Sequence, residues 1–144
     1  MKNYVDLALY IHDYDDITHQ ELTAMIGLQP IEVQVKGERR YPQHANSIAV
    51  YNRNRWIYKP DLDQFASFDD QMDAIYEALI ARTDVLKPLS EKYHFELSCA
   101  VFIYVDAEES TPSVHLDEKH TALAKELKFE FDVDIMLRAD SENE

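Results

Sequence analysis

Glu130, Asp132 and Asp134 stand at every second position near the end of the chain. On an extended strand that spacing places three carboxylates on one face, with neighbours about 6.8 Å apart, twice the strand rise. Hard cations draw several oxygens to about 2.3–2.6 Å, so this ridge is too open to ligate one ion. It suits a solvated face or a docking surface for a basic partner, and no metal is expected there. His115 and His120 are five residues apart, whereas a zinc-binding helix needs its histidines four apart on one face. Asp117 and Glu118, lying between them, fit the capping of a helix start better than catalysis. The run His12-Asp13-Tyr14-Asp15-Asp16 gathers polar groups at the end of a strand, where functional groups often collect. An acid-rich turn ahead of a helix accounts for the same residues.

Arg39, Arg40, Tyr41, Arg53, Arg55, Trp56 and Tyr58 mix cations with stacking surfaces, the combination used by single-strand nucleic-acid binders. Alternation puts Arg55 and Ile57 on one face and Trp56 and Tyr58 on the other, so the aromatics also suit a core. Arg39, Arg40, Arg53, Arg55 and Trp56 are the candidate contacts for a small anionic ligand. Catalytic templates are missing. Two glycines in the whole chain leave no phosphate-cradling loop, and no serine sits in a nucleophile elbow. No catalytic residue and no cofactor are assigned, and the expectation is a protein that is not an enzyme.

The surrounding charge decides among these readings. The chain has 144 residues and a net charge of −14. Residues 1–60 hold seven acidic and seven basic side chains, while residues 61–144 hold twenty-one acidic and seven basic. A field of that sign repels nucleic acid and anionic membranes and favours basic partners. With 46% hydrophobic residues, the chain has the composition of one globular domain, expected over residues 1–138, with 139–144 as a frayed acidic tail. The single cysteine, Cys99, lies among Leu97-Ser98-Cys99-Ala100-Val101 and reads as a buried thiol. No signal peptide or membrane-length apolar run is visible, so a cytoplasmic location is expected.

The elements that would carry these residues have local signatures. Val5, Leu7, Leu9 and Ile11 alternate with polar residues, which predicts a strand from Tyr4 to His12. Thr18 with Glu21 forms a capping box, Ile17 and Leu22 a hydrophobic staple, and Gly27 with Pro30 a helix exit. A strand from Ile31 to Lys36 follows. Two short strands, Ser47–Tyr51 and Arg55–Lys59, are then expected as a hairpin turning at Asn52-Arg53-Asn54. Ser67 with Asp70 opens the longest helix, which Lys87-Pro88 closes, with Leu89–Tyr93 as one further turn. Phe95–Val105 reads as a central strand covered on both faces. Asp117 caps a helix running to about Lys128. Phe129, Phe131, Val133, Ile135 and Leu137 form the apolar side of a last alternating strand. The order β-α-β-β-β-α-β-α-β predicts an α+β domain: one mixed, mainly antiparallel sheet with helices mostly on one face, distantly ferredoxin-like.

Ile26-Gly27-Leu28-Gln29-Pro30 at a helix exit, Lys36-Gly37 after the next strand, a lone Trp56 in a short strand, a long helix and a closing strand follow one another along nearly the whole chain. In this the chain resembles the domain-of-unknown-function 4279 family of small bacterial proteins. The resemblance implies a stand-alone domain of this size with no assigned activity, so no catalytic residue is carried over. By analogy with other small acidic proteins, a toxin blocked by an immunity partner is a candidate for the basic visitor. The expectation is a protein-interaction module whose acidic face docks a basic protein. The alternative is a small-ligand binder or enzyme using the basic–aromatic hairpin.

Overall fold

The computed structural model describes residues 2–106 and 108–139. Strand β1 (Tyr4–His12) alternates as its sequence predicts, with Val5, Leu7, Leu9 and Ile11 buried. Helix α1 (His19–Ile26) has both halves of its capping box: Glu21 N–H donates to Thr18 Oγ1 and Thr18 N–H to Glu21 Oε1, each at 3.1 Å. Gly27 ends it at φ +78°, a conformation that costs glycine least, and returns its N–H to the Thr23 carbonyl. Strands β2 (Glu32–Gln34) and β3 (Arg55–Tyr58) follow, then helices α2 (Phe68–Ile80) and α3 (Thr83–Lys92). Strand β4 (His94–Tyr104), helix α4 (Glu118–Leu127) and strand β5 (Glu130–Arg138) complete the domain.

The five strands form one mixed sheet in the order β2-β3-β1-β4-β5. Only β4 and β5 pair in parallel, because α4 carries the chain back between them. Leu22 and Ile26 of α1, Phe68, Met72, Ile75 and Leu79 of α2, Leu86 and Leu89 of α3, and Leu123 and Leu127 of α4 share one core with the odd-numbered residues of β1 and β4. The helices thus cover one face of the sheet. Cys99 lies in that core, and burial pushes its thiol up to about 11, as befits an inert packing group. The α+β class and the mixed, mainly antiparallel sheet hold; the ferredoxin comparison carries no further.

Four expectations need correction. Ser47–Tyr51 is not a strand: Val50 makes one isolated bridge, to Arg39, and β3 pairs with β1 and β2 instead. Pro88 does not end a helix but sits inside α3, which begins afresh after Arg82 turns the chain out of α2. Strand β4 is covered on one face only, since Ala100 and Phe102 remain half-exposed beside fully buried Cys99. Strand β5 does not bury its apolar side: Val133, Ile135 and Leu137 are 43%, 65% and 68% exposed, and only Phe131 is half-buried, against Phe68. It lies at the sheet edge, where the helical layer stops. The acidic-tail expectation for residues 140–144 lies outside the described residues.

Beside the start of β1, a side chain replaces a strand. β3 reaches only as far as Leu9, leaving Val5 and Leu7 without a backbone partner on that side. The buried Gln71 carboxamide fills the gap, accepting from Leu7 N–H at 3.1 Å and donating to the Val5 carbonyl at 2.7 Å. Two buried backbone groups that would each cost about 1–3 kcal/mol if left unpaired are thereby satisfied. Gln71 thus ties β1 to α2, while the strand's alternation turns Asp6, Ala8, Tyr10 and His12 to the opposite face.

Candidate functional site

That opposite face has no helical layer, and a row of polar side chains crosses it. Register places Gln34 beside Arg55, Arg55 beside His12, and His12 beside His94. One step along, Glu96 lies between Tyr10 and Glu130, and Asp132 lies beside Ser98. The Arg55 guanidinium donates from Nε to His12 Nδ1 at 3.3 Å and from Nη1 to Gln34 Oε1 at 3.1 Å. With Nδ1 accepting, the proton of neutral His12 resides on Nε2, which faces Glu96 Oε1 at 3.3 Å. The imidazoles of His12 and His94 stack with centroids 5.3 Å apart. A single chain of contacts therefore runs from the β2 edge to Glu96.

Electrostatics follow from this geometry. Burial, then the Arg53 and Arg55 charges, pull His12 down to about 4, so it is neutral at physiological pH. Burial and a hydrogen bond with Asp132 push Glu96 up to about 7. Two carboxyls in contact cannot both ionise cheaply, so Glu96 is about half protonated near neutrality. Burial, with Glu32 next, raises Tyr10 above the usual phenol value. Chemically, the row offers one proton that moves near neutral pH and a neutral imidazole in contact with it.

The acidic ridge takes its place at one end of this row. Glu130, Asp132 and Asp134 all face the uncovered side of β5. Glu130 is 3.7 Å from His94 Nε2, an ion pair only if that ring is protonated. Asp132 meets Glu96, and among the described residues no cation lies within ion-pair distance of Asp134. The basic stretch is engaged elsewhere: Arg53 grips Asp13 through two hydrogen bonds and Lys59 pairs with Asp6. Arg39 donates to the carbonyls of His44 and Ser47 in its own loop, and Arg40 lies over the Tyr41 and Tyr51 rings.

The alternative ligand set does not converge on one point. Trp56 is fully buried on the helix side, with its Nε1–H donating to Thr23 Oγ1 at 3.0 Å. Arg55 lies on the opposite side of the same strand, and Arg53 is held at the β1 turn. The acid-rich turn also has structural partners: Asp13 binds Arg53, Asp16 binds Tyr93 and Lys92, and Asn54 reaches Asp15.

His120 is buried and works as a cap, whereas His115 is exposed. Asp117 N–H donates to His120 Nδ1 at 3.3 Å, and His120 Nε2 lies 2.9 Å from Asp73 Oδ1 on α2. Asp73, Asp117 and His120 bring ligand atoms within 4.8 Å of one another. A cation there would have to break the cap and displace Lys119, which is 3.2 Å from Asp73. The geometry favours a tether between α4 and α2.

Sequence reasoning found Asp132 and Arg55 separately and missed Glu96, Gln34 and His94. The only available signal was the polar residue at every second position of His94–Ser98, which the apolar run after it obscured. No helix among the described residues is long and apolar enough to cross a membrane. No curated protein and no solved structure matches the chain. The model of a family described as "Domain of unknown function (DUF4279)" matches residues 2–138. By that match, the chain belongs to the DUF4279 family.

Proposed function

We propose that this domain is a non-catalytic interaction module that docks a basic protein on the uncovered, acidic side of β4 and β5. The observation that carries the reading is the separation of charge. The cations at residues 53–59 are committed to partners on β1, on β2 and at Asp13 just after β1, while Glu130, Asp132 and Asp134 face solvent without a lysine or arginine partner among the described residues. Carboxylates without lysine or arginine partners on a rigid strand create a steering field, and such fields raise association rates by roughly 10-fold or more at low salt. Immunity to a basic toxin is one role of this kind. The small-anion alternative draws less support, because Trp56 is buried and the four arginines point to separate partners.

The test is to capture a partner from cells that produce the protein, purify it, and measure association against salt. Reversal of charge in Asp132→Lys/Asp134→Lys is expected to slow the on-rate by about tenfold at low salt and flatten its salt dependence. A partner that binds the reversed variant at the same rate, or failure to recover any partner, would remove the proposal.

A further inference from the structure

We infer that the partner segment binds as an added strand along the outer edge of β5; this rests on the docking role proposed above. The Arg138 carbonyl accepts from Val105 N–H at 3.0 Å, so its backbone groups face β4. Backbone direction alternates along a strand. Glu130, Asp132, Asp134 and Met136 therefore also direct their N–H and C=O groups at β4. Phe131, Val133, Ile135 and Leu137 direct theirs outward, into the open edge.

The two edges of the sheet differ. β2 is three residues long, too short to template much pairing. β5 runs for nine residues with neither proline nor glycine, and all but Phe131 are exposed. Native sheets usually blunt such an edge with proline, a bulge, a covering loop or charged side chains. Among the described residues of β5 only the last is present, as Glu130, Asp132, Asp134 and Arg138, and such charges turn away like-charged strands while admitting a basic one. The edge offers outward backbone groups between an apolar side, Val133, Ile135 and Leu137, and an acidic side, Glu130, Asp132 and Asp134.

That alternation specifies the visitor. An extended segment alternating apolar and basic residues would lay its apolar side chains beside Ile135 and its cations beside Asp132 and Asp134, with main-chain hydrogen bonds joining the strands. A second copy of this chain fits less well. Each copy carries a net charge of −14. In-register parallel pairing is barred, because the same odd-numbered residues face outward in both copies. Two-fold antiparallel pairing about residue 134 sets Asp134 against Asp134, and pairing about residue 135 offers Asp132 to Arg138 of the other copy but still brings two strongly anionic chains together.

The probe is a capped nine-residue peptide alternating lysine and valine, with two versions N-methylated at every valine or at every lysine. In an antiparallel addition the valine N–H groups face β5, and in a parallel one the lysine N–H groups do. At low salt the unmodified peptide is expected to slow amide exchange at Val133, Ile135 and Leu137 by about tenfold or more. One methylated version, and only one, should lose about tenfold or more in affinity. Ile135→Pro removes an outward N–H that β4 does not use, a change edge strands tolerate, and should weaken binding similarly with the β4–β5 amides still protected.

Equal affinity of all three peptides, or indifference to Ile135→Pro, overturns strand addition. If salt and Asp132→Lys/Asp134→Lys still govern binding in that case, the docking reading itself survives. Absence of protection by the unmodified peptide also overturns strand addition. So does a concentration-dependent dimer, seen by sedimentation, that protects the same amides without peptide.

Discussion

Nε2 of His12 lies 3.3 Å from Oε1 of Glu96, joining a buried neutral imidazole to a carboxyl that titrates near neutrality. The two groups push stability in opposite directions with pH. His12 falls from 6.5 to about 4 on folding, so between those values the unfolded chain binds a proton the native state refuses; stability drops as pH falls through that window. Glu96 rises from 4.5 to about 7, so the native state holds a proton the unfolded chain has released; stability drops as pH rises through that window.

Between about pH 4.5 and 6.5 these contributions oppose each other, and replacing either group should reveal the other. Glu96→Gln keeps an acceptor for His12 and cannot ionise. Its melting temperature is expected to gain on the parent from pH 5 to about pH 7 and then level off, by a few degrees in all. Parallel melting curves across that range would show that Glu96 does not hold its proton into the neutral range.

Asp132→Asn tests the origin of that proton. Burial is the larger cause of the Glu96 shift and Asp132 the next. Removing the neighbouring charge should lower the Glu96 titration midpoint by about one unit and leave it above 4.5. Carboxyl-carbon NMR reads this directly, and an unmoved midpoint would mean that Asp132 contributes nothing.

Gln71 is expected to be among the costliest polar substitutions. Gln71→Leu preserves bulk but orphans Leu7 N–H and the Val5 carbonyl, which should cost about 2–4 kcal/mol. Urea unfolding with an unchanged slope and a lower midpoint would register it. A cost below about 1 kcal/mol would show that the edge of β1 needs no surrogate.

His120 separates two roles in one side chain. His120→Ala removes both the capping contact to Asp117 and the tether to Asp73, at an expected cost of about 2 kcal/mol. Glutamine is a regular capping-box partner at this position, so His120→Gln should recover about half of that loss. Equal loss in both variants would assign the stability wholly to the Asp73 contact.

Elements with local signatures were legible from residue order. The period of two in Tyr4–His12, the Thr18–Glu21 capping box, Gly27, and the caps at Ser67 and Asp117 all act within a few residues, and all are found where those signals place them. The misread segments are those whose outcome depends on distant neighbours. Ser47–Tyr51 lacked a long strand to pair with, and Pro88 was absorbed into a helix held by core residues Leu86 and Leu89.

Composition and spacing alone thus determined the α+β class, the caps, and three carboxylates on one side of the last strand. Tertiary structure alone decided that β5 would be an edge with its apolar side uncovered, that Gln71 would complete β1, and that His12, Glu96 and Asp132 would meet. The reason is geometric: a period or a cap is satisfied by residues three or four apart, whereas strand order and helical coverage join residues as distant as Leu7 and Gln71 or His12 and Glu96.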